Sequence, residues 1–88
     1  MRVRRLAALD EYVEDGRAAV YTSKGVVVLL SELATAAWNM LGDDWLPATE
    51  VTDVLVREFG DPGEGEADRL TENALQSLAE MALVELDD

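Results

Sequence analysis

Two groups of carboxylates are the side chains whose spacing comes nearest to chemistry in this 88-residue chain. Asp43 and Asp44 stand next to each other beside Gly42, and Asp61, Glu64, Glu66 and Asp68 crowd one short acidic stretch. The first pair offers general acid–base work, but that needs a carboxyl held in a pocket, and adjacent acids in a glycine-containing loop stay solvated. The second group is rich enough in oxygen for calcium, yet it misses the D-x-D-x-D-G frame of a helix-loop-helix site. Acids at that place are equally those that favour a helix start through its dipole. Histidine and cysteine are both absent, which removes the commonest general base, the commonest metal ligands and the best nucleophile. Gly60, Gly63 and Gly65 lack the Lys and Ser or Thr that a phosphate-binding loop requires. These residue types predict a chain that is not an enzyme, holds no metal and uses no cofactor. Binding is what remains.

Charge narrows the partner. The chain has 19 acidic and 7 basic residues, a formal charge of -12, and is 49% apolar. Nucleic acid is therefore excluded as a partner, because its phosphates are bound by clustered cations, and the one basic cluster here is Arg2, Arg4 and Arg5. Those arginines are expected to form a solvated start. The same field attracts a basic partner, more weakly as salt is added. Without cysteine there is no disulfide framework, so the fold must rest on packing. Met1 to Leu9 are not followed by an apolar run of signal-peptide length, and nothing reaches membrane-spanning length. The expectation is one cytoplasmic domain over residues 1–88 with no membrane role.

The elements that would position a binding site follow from turns and periodicity. Leu6 to Val13 and Ala18 to Thr22 read as a hairpin around Glu14-Asp15-Gly16, and Ser23-Lys24-Gly25 leads to a third strand, Val26 to Leu30. Ser31 is a good helix N-cap, and Leu33, Ala37, Trp38 and Leu41 recur at helical spacing until Gly42. Gly42 to Pro47 is a connecting loop, Ala48 to Phe59 a second helix with Val51, Val54, Leu55 and Phe59 on one stripe, and Gly60 and Pro62 its stop. A third helix shows a core stripe of Ala67, Leu70, Ala74, Leu78, Met81 and Ala82, and Leu83 to Leu86 can close the domain as a short strand. The expected fold class is α+β and winged-helix-like, a three-stranded antiparallel sheet followed by three helices.

Val26 to Leu30 is apolar on both faces, with Val26, Val28 and Leu30 on one side and Val27 and Leu29 on the other. The pattern fits either an ordinary buried strand or a sheet edge whose free amides and carbonyls can take an extended peptide as a further strand. On the third helix, Leu75 and Ala79 lie well round the axis from the core stripe. Thr71, Leu75, Leu78 and Ala79 are thus expected to form a groove wall facing the third strand, with Asp68 and Glu72 available to a basic ligand side chain.

At Leu30-Ser31-Glu32, Ala34 and Ala37-Trp38-Asn39-Met40-Leu41 the chain resembles the PqqD-like family of peptide chaperones, also called RiPP recognition elements. The family's pattern has Leu-Asn before the first helix, then Ala, an apolar-Trp pair and Leu; Ser31 stands here for the Asn. The likeness continues through Val51 to Gly60 and into Leu78-Ala79-Glu80-Met81-Ala82-Leu83-Val84, which is similar to the closing L-x-x-x-G-L-V. Ala82 replaces the usual glycine, and Val26 to Val28 replace the aromatic or arginine residues frequent on the third strand.

The resemblance implies three strands packed on three helices and a protein that binds the leader segment of a ribosomally made precursor peptide, presenting it to a peptide-modifying enzyme. By the same resemblance, the leader would pair with Val26, Val27, Val28, Leu29 and Leu30 and rest on Thr71, Leu75, Leu78 and Ala79. The alternative is a winged-helix protein-interaction or regulatory module. The open edge could also serve a second copy of the chain, giving a homodimer.

Overall fold

In the computed structural model, which describes residues 1–87, the chain runs β1 (Arg2–Arg5), β2 (Ala8–Glu14), β3 (Arg17–Thr22), β4 (Val27–Leu29), α1 (Glu32–Met40), β5 (Leu46–Pro47), α2 (Ala48–Phe59), α3 (Glu66–Glu80) and β6 (Val84–Asp87). The class is α+β, as the periodicity predicts. There are two small antiparallel sheets, however, each of three strands, ordered β2-β3-β4 and β5-β1-β6.

The first sheet follows from its turns. Asp15 and Gly16 both take positive φ, 54° and 77°, the two-residue geometry whose twist matches the flanking strands. Glu14 accordingly sits opposite Arg17. At the next reversal Gly25 takes φ 82°, its amide donates to the Thr22 carbonyl at 2.9 Å, and the Thr22 amide donates to the Val26 carbonyl at 2.8 Å. This three-residue loop sets β4 in register on β3, with Val28 opposite Val20.

The second sheet corrects the reading of the amino end. Arg2, Arg4 and Arg5 are not a solvated start: they belong to β1, the central strand between β5 and β6. Val3 points inward and is fully buried. On β6, Asp87 lies opposite Arg2 and Glu85 opposite Arg4, and each arginine pairs with its facing acid. Both guanidinium groups also stack on Trp45, Arg4 at 4.5 Å and Arg2 at 5.1 Å from the ring centroid, a geometry in which cation and ring attract. Leu46 and Pro47, expected in a loop, pair with Val3 and Arg2. Cross-strand charge pairing thus holds a segment that composition marks as surface.

α1 begins as expected, with Ser31 Oγ accepting from the Ala34 amide at 3.1 Å. α2 buries Ala48, Val51, Thr52 and Leu55, whereas Phe59 at its end is exposed. The core face of α3 is Thr71, Leu75 and Leu78, while Leu70 is exposed and Ala74 half-buried. The stripe expected through Leu70 and Ala74 is therefore turned by about one residue, roughly 100°. Thr71 hid this, since a buried threonine scores as polar while the alanines of the false stripe score as apolar.

α3 leaves its last turn through a bond from the Leu83 amide to the Leu78 carbonyl at 3.0 Å, with Ala82 at φ 61°. That is the helix-ending geometry in which glycine is the usual occupant, because a side chain there meets the following carbonyl. Ala82→Gly should therefore raise stability, by about 0.5 to 1 kcal/mol after the greater chain entropy of glycine is offset. Urea unfolding of the two proteins measures this, and a lower midpoint for the glycine variant would count against the strained exit.

Candidate functional site

Of the carboxylates with chemical promise, Asp44 and Glu64 are simply exposed. Asp61 accepts from the Gly63 amide at 2.9 Å and Glu66 pairs with Arg69, so the acidic stretch shapes a turn and a helix start. No group of three or more acidic side chains able to hold a metal ion is gathered among the described residues. Asp43 lines a cavity of about 300 Å³ with Arg5, Asp10, Glu11 and Trp38. There the Arg5 guanidinium lies 3.8 Å over the Trp38 ring and donates to the Trp38 carbonyl at 2.9 Å. The Trp38 indole N–H donates to Glu11 at 2.5 Å. That bond chiefly holds the Glu11 carboxyl below the usual glutamate range, with Arg5 adding to it and burial opposing. A carboxylate kept charged in this way ties β2 to α1; it is not poised to move protons.

The edge of the β2-β3-β4 sheet carries the other expected site. β4 pairs with β3, and no strand lies on its far side among the described residues. Which of its groups face outward follows from the ladder. The Thr22 amide donates to the Val26 carbonyl and the Leu30 amide donates to the Ala18 carbonyl, each at 2.8 Å. Backbone groups along an antiparallel strand alternate between the two sides, so Val26, Val28 and Leu30 address β3. Val27 and Leu29 turn their N–H and C=O groups away from the sheet. Below this strand the Ala18 amide donates to Thr35 Oγ1 on α1 at 2.9 Å, and Arg17 Nε donates to the Leu30 carbonyl at 2.9 Å. The edge is thereby anchored at the start of α1.

The side chains sort by the same parity. Leu30 is buried, Val28 half-buried, and Val27 and Leu29 are each 55% exposed. Opposite Val27 stands Tyr21, opposite Leu29 stands Ala19, and opposite Ala19 stands Tyr12. Ala19 is only 3% exposed although it points to the outer face, because larger neighbours overhang it. Tyr12, Ala19, Tyr21, Val27 and Leu29 thus form one apolar patch running to the open edge. Tyr12 and Tyr21 were missed by reasoning from the sequence, since only the strand register places Tyr21 beside Val27 and puts Tyr12 on the same face one strand further across. Val26, in the turn before β4, is exposed as well.

The expected second wall is corrected. Thr71, Leu75 and Leu78 are buried, Leu75 fully, so they form no groove wall facing β4; Ala79 is half-buried against the core. Asp68 and Glu72 are exposed, but α3 packs on α2, β6 and α1. Thr71 lines a cleft of about 160 Å³ with Leu33, Leu55, Phe59 and Leu70, between helices and away from β4. Of the strand half of the expected site, Val26, Val27 and Leu29 are exposed while Val28 is half-buried and Leu30 is core, and the helix half is largely core. Comparisons with protein-family models, with curated proteins and with solved structures gave no match to this chain.

Proposed function

We propose that this chain is a non-catalytic leader-peptide-binding protein, which captures a ribosomally synthesised precursor by adding its leader as a strand along β4 and presents it to a peptide-modifying enzyme. The observation that carries this reading is the unpaired edge at Val27 and Leu29, whose outer face continues across the sheet through Tyr21 on β3 to Tyr12 on β2. The sequence likeness to PqqD-like chaperones supports it independently of the edge geometry. An added strand would meet two outward amides and two outward carbonyls, each bond contributing about 1 kcal/mol net. Two apolar leader side chains resting on Val27, Leu29 and Tyr21 would each add about 1.5 to 3 kcal/mol when fully buried. Set against an association cost of about 4 to 15 kcal/mol, these terms describe a modest binder whose affinity is settled by side-chain fit. Backbone pairing is indifferent to sequence, so the patch supplies the selectivity and the charge of -12 favours a basic leader.

Titrating the isotopically labelled protein with a short synthetic peptide that is basic and carries alternating apolar residues, as a leader probe, tests the reading. The expected result is a shift of the Val27 and Leu29 amides, with slowed exchange of both, and smaller shifts at Tyr12 and Tyr21. Shifts confined to the cleft between the helices would favour the interaction-module alternative and remove the strand-addition reading.

A further inference from the structure

The two edges of the β2-β3-β4 sheet are built in opposite ways. β2 carries Asp10, Glu11 and Glu14, and its ladder is broken by an irregularity between Ala8 and Asp10. Charges and bulges are the devices by which natural edges avoid pairing with another chain. β4 and its flanks read Val26-Val27-Val28-Leu29-Leu30, with neither charge nor proline, and its pairing with β3 runs without a register shift. So bare an edge calls for a cover.

We propose that in the free protein this cover is β4 of a second copy, paired antiparallel about a two-fold axis at Val28. The inference rests on the same edge as the leader-binding reading and makes the partner copy and the leader competitors for it. The geometry is self-complementary. The outward residues, Val27 and Leu29, lie on either side of Val28, so Val27 of one protomer falls opposite Leu29 of its partner and the reverse, and every outward amide and carbonyl of both strands is satisfied. Residues opposite each other share a face, so the apolar patch of each protomer continues into that of the other. Lys24 and Glu32 lie equally far from Val28 on its two sides, and the register therefore carries the Lys24 turn of one protomer toward the acidic first turn of α1 in its partner. The product is a single sheet in the order β2-β3-β4-β4-β3-β2, closed by symmetry. Both of its remaining edges are the charged, bulged β2.

Each protomer carries -12, which opposes this association at long range, and salt screens that repulsion. The test is sedimentation equilibrium of the full chain without peptide, from micromolar to millimolar protein, in low and high salt. The expected result is a reversible monomer–dimer equilibrium in which dimer grows with concentration and with salt, whereas affinity for a basic leader falls with salt. Val27→Pro removes an outward donor and should shift the protein to monomer. Leu29→Glu keeps the backbone intact and places a charge in the apolar row, and should weaken the dimer about tenfold or more; circular dichroism checks that each variant is folded. A wild type that stays monomeric throughout, or a dimer that survives Leu29→Glu, overturns the proposal. A monomer that still binds leader at Val27 and Leu29 overturns the dimer alone; a dimer that no leader dissociates leaves the dimer standing and counts against the leader.

Discussion

Leu75→Asp is expected to leave the chain unfolded at room temperature. Leu75 is 0% exposed and belongs to the central cluster with Trp38, Val51, Leu78 and Leu83. Truncating a buried leucine to alanine already costs about 2 to 5 kcal/mol, and a carboxyl introduced without partners adds a desolvation penalty of several kcal/mol more. At about 0.05 to 0.15 kcal/mol per residue, a chain of 88 residues has roughly 4 to 13 kcal/mol in total. The substitution consumes most or all of that. Leu70→Asp is the matched control: Leu70 is exposed, and the change should cost well under about 1 kcal/mol. Thermal melts followed by circular dichroism compare the two, and a cooperative Leu75→Asp transition near wild type would mean that α3 is turned the other way. The sequence alone points to the reverse outcome, since the apparent stripe puts Leu70 in the core and Leu75 on the surface.

Leu29→Pro is expected to weaken leader binding by about tenfold or more while the fold persists, and Val28→Pro to damage the fold itself. The difference is the direction of one amide. At Leu29 the N–H faces away from β3 and would be donated to an added strand, so proline removes that donor and crowds the edge without touching the β3 ladder. At Val28 the amide belongs to the ladder opposite Val20, which is fully buried. Losing that donor leaves a buried carbonyl without its partner, at a cost of about 1 to 3 kcal/mol. Calorimetric titration with leader, alongside urea unfolding of both variants, separates the effects. Equal loss of affinity with equal stability would mean that the strand is rotated by one residue from the observed register.

The strength of strand β4 as a candidate site and the weakness of α3 share one cause. For β4 the relevant property is local: Ser23-Lys24-Gly25 makes the turn, valines favour extended chain, and Ser31 starts the next helix, so a short window of sequence is enough to place the strand. For α3 the relevant property is rotational. Two stripes of similar apolarity pass through Leu78, one through Leu70 and Ala74, the other through Thr71 and Leu75, and nothing within the helix chooses between them. The choice is made by what α3 lies against, namely α1, α2 and β6. The arginines behave likewise: Arg2 and Arg4 look like a charged tail until Asp87 and Glu85 are brought opposite them.

By itself, then, the sequence determined the α+β class, the hairpin at Asp15-Gly16, the bounds of α2, the cap at Ser31 and the absence of histidine and cysteine chemistry. Each depends on residue type or on neighbours a few positions apart. Tertiary structure alone decided that β1 is the centre of a second sheet, that Leu75 is core, that Tyr12 and Tyr21 share the outer sheet face with Val27 and Leu29, and that Val27 and Leu29 rather than Val28 turn their amides outward. Those are matters of register and facing between segments distant along the chain. A register is selected by the combined burial and pairing of all the segments at once, which no local pattern contains.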